Sequence, residues 1–199
     1  MDQEIEQSQT PAEIQDEIIL AALKLFTRKG YFNTSLTDIA KLAGVQNASA
    51  VYQHFNNKQV IATELYAKIF DTLNVSIDDI RRRSPKASDQ LRAVVELFFR
   101  LSDDAPEIMR FILALNFNEF LPEEKPLLET AAFTKIGKII QAGIKAGEIR
   151  NLDPQLAYAY FFGTVNQTLL LSLSGALDKK ADAYLSPTWL AAWASIAKK

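Results

Sequence analysis

Apolar residues recur every three or four positions along most of this chain, a spacing that gathers them on one side of a helix. Ile14, Ile18, Ala21, Ala22, Leu25 and Phe26 make the first such face. Ahead of it, Thr10-Pro11-Ala12-Glu13 offers a capping Thr, a Pro at the first helical position and a Glu in the capping-box position. Arg28 and Lys29 suit the negative end of the helix dipole, and Gly30 stops the helix. Leu36, Ile39, Ala40 and Ala43 predict a second helix, opened by Ser35 with Asp38 and ended by Gly44, after which Val45 is an apolar plug. Asn47 predicts the cap of a third, with Val51 and Phe55 on one face and Ser49, Tyr52 and Gln53 on the other. Val60, Ile61, Leu65, Ile69, Leu73, Ile77 and Ile80 belong to a long fourth, Asn57 to Arg83, capped by Asn56 and broken at Ser84-Pro85.

The second half predicts further helices. Ser88 caps one that carries Leu91, Val94, Val95, Phe98 and Phe99. Asp104-Ala105-Pro106-Glu107 opens the next, with Ile108, Phe111, Ile112 and Leu115, and Leu121-Pro122 ends it. From about Pro126 a helix carries Leu127, Leu128, Phe133, Ile136, Ile139, Ile140 and Ile144, closed by Gly147. Asp153-Pro154 opens an apolar helix that runs to about Gly175, and Ser186-Pro187 opens a last one with Trp189, Leu190 and Trp193. No alternating strand pattern interrupts this series, so the fold class is all-α with about nine helices. The expected organisation is a disordered tail over 1–9, a helix-turn-helix domain over 10–56, a connecting helix over 57–84 and a helical domain over 85–199.

Composition narrows the function. At 199 residues and 48% hydrophobic, the chain can bury a sizeable core. It has no cysteine, which excludes disulfides and thiolate metal sites and fits a reducing cytoplasm. The acidic start lacks the apolar run of a signal peptide. The segment Leu156 to Leu173 is interrupted by Tyr, Asn and Gln, and reads as a buried helix with no membrane role. A net charge of -2 excludes a general nucleic-acid coat but allows a small DNA-reading head on an acidic body. His54 is the only histidine, and no carboxylates stand at metal spacing with it, so no catalytic residue, metal or cofactor is expected. Asp103-Asp104 and Glu123-Glu124 read as charges at helix starts.

The stretch from Ser35 to Phe55 carries the chemistry. A short helix showing small polar side chains suits a major groove. Gln53 can pair with an adenine edge, and Asn47 can do the same or merely cap. Ser49 and Ala50 are small enough for close backbone approach, and an Ala methyl can touch a thymine methyl. Tyr52 can donate to a phosphate oxygen or pack on the first helix. Lys58 in the first turn of the fourth helix reads as an anion contact or a solvated lysine, and Thr37 as a second backbone contact. His54 either assists with phosphate or closes the hairpin. Arg81-Arg82-Arg83 reads as a solvated run, with the helix dipole or a partner as the alternative. An ordinary helical hairpin is the plain alternative.

Phe26 with Lys29-Gly30-Tyr31, then Asp38-Ile39-Ala40, Ala43-Gly44-Val45, Tyr52, His54-Phe55 and Lys58, in this order, resembles the N-terminal DNA-binding domain of the TetR family of bacterial transcriptional regulators. The resemblance covers roughly residues 12 to 70. From Val45 to Phe55 the chain has one residue more than the family's commonest form, which falls in the turn near Gln46 or Asn47 and brings Gln46 into the DNA-facing set. The resemblance implies phosphate contacts for Tyr52 and Lys58. It also implies a C-terminal domain that dimerises and holds a small molecule, and so a cytoplasmic regulator of repressor type, released from operator DNA by an effector. The aromatic set Phe98, Phe99, Phe111, Phe117, Phe161 and Phe162 is a candidate lining for a largely apolar effector, and Asn116, Asn166 and Gln167 are candidate polar contacts. Phe98, Phe111, Leu115, Asn116, Phe162 and Asn166 are the residues singled out as ligand contacts. A homodimer is expected through helices near 154–174 and 187–197, because the first is apolar nearly all round. Two heads on a two-fold axis would read a near-palindromic site at about 34 Å spacing. The competing reading is a helical small-molecule-binding protein or enzyme without DNA function, and the lone His and absent Cys argue against it. A third is a regulator with a fully packed core and no ligand.

Overall fold

The structure, a computed structural model, describes residues 10–198. The tail expected over 1–9 lies outside the described residues. Among these, nine α-helices follow one another: α1 (Pro11–Lys29), α2 (Leu36–Leu42), α3 (Ala48–Tyr52), α4 (Lys58–Arg83), α5 (Ala87–Asp104), α6 (Pro106–Ala114), α7 (Ala131–Ala146), α8 (Pro154–Leu173) and α9 (Asp182–Ile196). Single 3-10 turns at Phe117–Glu119 and Leu127–Glu129 lie between α6 and α7. The chain divides into two units after Tyr66, inside α4. No helix of the described residues is long and apolar enough to cross a membrane.

Helix starts marked by neighbours in sequence stand where the periodicity puts them. Thr10 and Glu13 exchange hydrogen bonds in a capping box, with Pro11 at the first helical position, and Ser35 and Asp38 do the same for α2. In the first unit Ile18, Ala22, Phe26, Ile39, Val51, Phe55, Ile61 and Leu65 form the core. In the second, α5 packs on α6, α7, α8 and α9, with Leu91, Val94, Phe98, Ile136, Phe161 and Val165 fully buried.

Several expected boundaries shift, each for a reason. The third helix is only Ala48–Tyr52; Phe55 lies beyond it, but its N–H still donates to the Val51 carbonyl at 2.9 Å, so both side chains are buried. Asn57 caps α4 in place of Asn56, its Oδ1 accepting from the Val60 N–H at 2.9 Å. Ser88 does not cap α5. Glu148, from beyond α7, accepts from the backbone N–H groups of Ala87 (2.9 Å) and Ser88 (3.0 Å) and from the Ser88 hydroxyl (2.7 Å). Gly143 permits this approach, since a Cβ there would stand 2.7 Å from Ile149 Cδ1 and 2.8 Å from Ala87 Cβ.

Asp103-Asp104 end α5 and open nothing in sequence. Asp103 instead caps α9, accepting from the N–H groups of Ala181 (2.8 Å) and Asp182 (3.0 Å). With that cap in place α9 starts at Asp182, ahead of the expected Ser186-Pro187, and Pro187 lies inside the helix. α6 stops at Ala114 because Leu115 turns extended at ψ 137°, well before Leu121-Pro122. The helix expected from Pro126 is interrupted at Thr130 (ψ 154°), which separates a 3-10 turn from α7. Glu123-Glu124 stand in the loop before that turn, at no helix start.

α8 is apolar on three stripes. Ala157, Phe161, Val165 and Leu169 face the core; Tyr158, Phe162 and Asn166 share a second stripe; Leu156, Tyr160 and Leu171 remain exposed on a third.

Candidate nucleic-acid interface

The first unit builds its site on short-range caps. Asp38 accepts from the Ser35 N–H at 3.0 Å and hydroxyl at 2.9 Å, with the Lys29 ammonium at 3.2 Å. These hydrogen bonds, and then Lys29, pull its carboxyl down to about 2. Gly44 takes φ +72°, the left-handed conformation that turns the chain from α2 towards α3. Asn47 caps α3, its Oδ1 accepting from the Ala50 N–H at 3.1 Å. The oxygen that a bidentate adenine contact needs is therefore engaged, and of Asn47's two candidate roles the cap is the one seen.

Val51 and Phe55 are 0% and 2% exposed, while Tyr52 between them is 56% exposed. Thr37, Gln46, Asn47, Ser49 and Gln53 are also exposed; Ala50 and His54 are half-buried. Ser49 and Gln53 lie four residues apart and so on one side, adjoining Tyr52. The packing role considered for Tyr52 does not fit that exposure. His54 continues the turn, its N–H donating to the Val51 carbonyl at 3.0 Å.

Lys58 reaches back across the unit. Its Nζ donates to the Tyr31 carbonyl at 2.7 Å and the Thr34 carbonyl at 2.8 Å, and sits 4.1 Å from the Tyr31 ring centroid. Burial lowers its pKa. Two of its three ammonium donors are thus used inside the unit, as a clamp on the loop from Gly30 to Thr34. The loop is further fixed by the Tyr31 ring, 5.2 Å from Phe26, and by the Thr34 hydroxyl donating to the Gly30 carbonyl at 2.9 Å. Sequence reasoning missed this clamp, because its partners are 24 and 27 residues apart. Arg81, Arg82 and Arg83 are the exposed run expected, in the last turn of α4, and pair with Asp78 and Asp79 one turn back.

In the second unit a cavity of about 700 Å³ opens between α7 and α8. Of the expected ligand contacts, Phe162 and Asn166 line it. The others do not. Phe98 is buried behind it, 6.2 Å from both Phe133 and Phe162. Phe111 packs on Phe117 at 5.0 Å, Leu115 is half-buried at the end of α6, and Asn116 is exposed and donates to Glu119 at 2.9 Å. Phe99, Phe117, Phe161 and Gln167 are likewise absent from the lining, which instead includes Phe133, Gly137, Lys138 and Tyr158. Among the described residues no group of three metal-ligating side chains is placed to hold an ion.

A capped two-helix turn with a buried back and an exposed polar front defines a helix-turn-helix DNA-binding protein. Residues 18–65 match the family model described as bacterial regulatory proteins, tetR family. That segment carries the N-terminal DNA-binding domain of the family, and the chain is a DNA-binding transcriptional regulator, not an enzyme. It is 26% identical over 156 residues to the fatty acid metabolism regulator protein of Bacillus subtilis, covering 77% of this chain and 80% of that one. It is 34% identical over 94 residues to the biofilm operon icaADBC negative transcriptional regulator IcaR of Staphylococcus aureus, covering 47% of this chain. That match spans about half the length of IcaR (48%). The crystal structure of FadR from Bacillus subtilis in complex with stearoyl-CoA superimposes with a TM-score of 0.75 at 22% identity, over 91% of this chain and 98% of that one, which shows the shared fold.

Proposed function

We propose that the chain works as a homodimer that represses from a near-palindromic operator and leaves it when a small molecule binds the second unit. The observation that carries the DNA part is Tyr52, more than half exposed on a helix whose neighbouring residues Val51 and Phe55 are buried. A phenol held out from a rigid back can donate to a phosphate and fix the register in which Ser49 and Gln53 meet base edges. The negative regulation exerted by IcaR and the acyl-CoA bound to FadR support repression and an effector. Such a protein would act in the cytoplasm, where its operator is.

The dimer reading rests on the unpartnered stripe of α8 together with Leu190 of α9, which is 66% exposed. Large apolar side chains left exposed on these two helices suit an interface. A symmetric pair would set two recognition helices about 34 Å apart. An effector can release DNA only by binding one arrangement of the pair more tightly than the other; a hundredfold loss of affinity requires about 2.7 kcal/mol of that preference. The double variant Leu156→Glu, Leu190→Glu is expected to sediment as a monomer and to lose about hundredfold in operator affinity, since the second head no longer binds in tandem. A variant that remains dimeric would place the interface elsewhere.

A further inference from the structure

The first unit is short of positive charge for a protein that meets DNA. Residues 10–66 carry five Lys and Arg against five Asp and Glu, so the unit brings no net attraction to phosphate. Which cations remain for the DNA backbone depends on where each side chain is held. Lys29 pairs with Asp38 at 3.2 Å, and Lys58 commits two donors to the Tyr31 and Thr34 carbonyls. Lys24 and Arg28 stand on α1, outside the two helices of the motif. Lys41, in the last turn of α2, is left. It is exposed, and among the described residues its ammonium has no hydrogen bond or ion pair.

The place of Lys41 on α2 suits a phosphate. Thr37 and Lys41 are four residues apart and share the exposed side of the helix, away from the buried Ile39 and Ala40. A helical side chain leans towards the helix N-terminus, so the Lys41 stem runs back over the turn of Thr37. Asp38, the carboxylate on α2, is engaged by Ser35 and Lys29. In a helix-turn-helix the first helix crosses the DNA backbone while the second reads the groove, and α2 is that first helix.

We propose that Lys41 is the residue through which each head neutralises a DNA phosphate, one turn along α2 from Thr37. The assignment rests on the regulator reading and adds to it the source of its electrostatic affinity. With so few cations in the unit, the complex has a shallow salt dependence. A phosphate contact carries no sequence information, so Lys41 sets affinity and leaves base preference to the exposed face of α3.

The test is a fluorescence-anisotropy titration of the full chain between about 50 and about 200 mM salt. The probes are the intergenic DNA upstream of its own gene and an alternating dA–dT duplex. Lys41→Gln makes the slope of log affinity against log salt shallower by about 0.9 per head, or about 1.8 for a symmetric pair, on both probes. The ratio of the two affinities stays as in wild type. Lys41→Arg keeps the wild-type slope, and so does Lys24→Gln, which removes the same charge from α1. Hydrogen exchange of residues 10–66 is unchanged in Lys41→Gln, because the side chain lost is exposed and unpaired. An unchanged slope in Lys41→Gln, an equal loss in Lys24→Gln, or quickened exchange in Lys41→Gln, the mark of a structural role, overturns the proposal. Any of these beside saturable operator binding sinks Lys41 alone, whereas no binding to either probe sinks the regulator reading with it.

Discussion

Replacing Glu148 by Ala is expected to destabilise the second unit by about 3 kcal/mol, because it orphans three donors at the start of α5. The N–H groups of Ala87 and Ser88 have no intrahelical partners, and Lys86 at the cap position makes no side-chain bond to them. Glu148 alone satisfies both, and takes the Ser88 hydroxyl as well. Both tryptophans lie in α9, so tryptophan fluorescence during urea unfolding reads this unit directly. The midpoint falls, and Glu148→Gln, which keeps one acceptor oxygen, recovers about half the loss.

The same carboxyl gives a pH signature. Burial pushes Glu148 up, but the hydrogen bonds from Ser88 and Ala87 and the charge of Lys86 outweigh it, and the net shift is below the ordinary value of 4.5. A carboxylate with a lowered folded pKa binds fewer protons folded than unfolded. Its contribution is therefore complete above 4.5 and is lost as pH falls through the folded value. Wild type and Glu148→Ala should differ most near neutrality and converge in acid. A difference independent of pH would mean that Glu148 acts through packing and not through its charge.

Lys58→Met is expected to destabilise the first unit by about 2 kcal/mol. The methionine stem keeps the packing, but the carbonyl of Thr34, a buried residue, loses its donor and the Tyr31 ring its cation. Hydrogen exchange of residues 10–66 should quicken while tryptophan fluorescence, which sees only α9, stays unchanged. Operator affinity falls because the clamp holds the loop between α1 and α2. The salt dependence separates this from a phosphate contact. A lysine neutralising one phosphate contributes about 0.9 to the slope of log affinity against log salt. The clamp predicts that Lys58→Met leaves that slope unchanged, and a drop of that size would return Lys58 to the phosphate.

Features legible in the sequence were local. The two capping boxes, Pro11, Gly44 and the Asn47 cap each depend on residues within four positions of one another, and the all-helical class follows from periodicity. The extra residue in the turn leaves Gln46 and Asn47 exposed and the Asn47 cap intact. Glu148, Asp103 and Lys58 escaped because each serves a helix end or loop between 24 and 79 residues away. No pattern in the chain distinguishes such a carboxylate or ammonium from a solvated one. Of the six residues singled out as ligand contacts only Phe162 and Asn166 line the cavity, for a different reason. Aromatic residues mark where helices pack, so Phe98 and Phe111 fell in the core. The cavity opens along Gly137, Ala159 and Gly163, whose small side chains leave space and give no hydropathy signal.

The most direct test of the regulator is a titration of the purified full chain against the intergenic DNA upstream of its own gene, with competitor DNA present, at two salt concentrations. Gln53→Ala and Tyr52→Phe run beside the wild type. The account predicts saturable binding that survives competitor, a loss of about 1–3 kcal/mol of sequence discrimination in Gln53→Ala, and a uniform weakening across sequences in Tyr52→Phe. Equal affinity for any DNA, or variants indistinguishable from wild type, would contradict it and leave the exposed face of α3 without its assigned role.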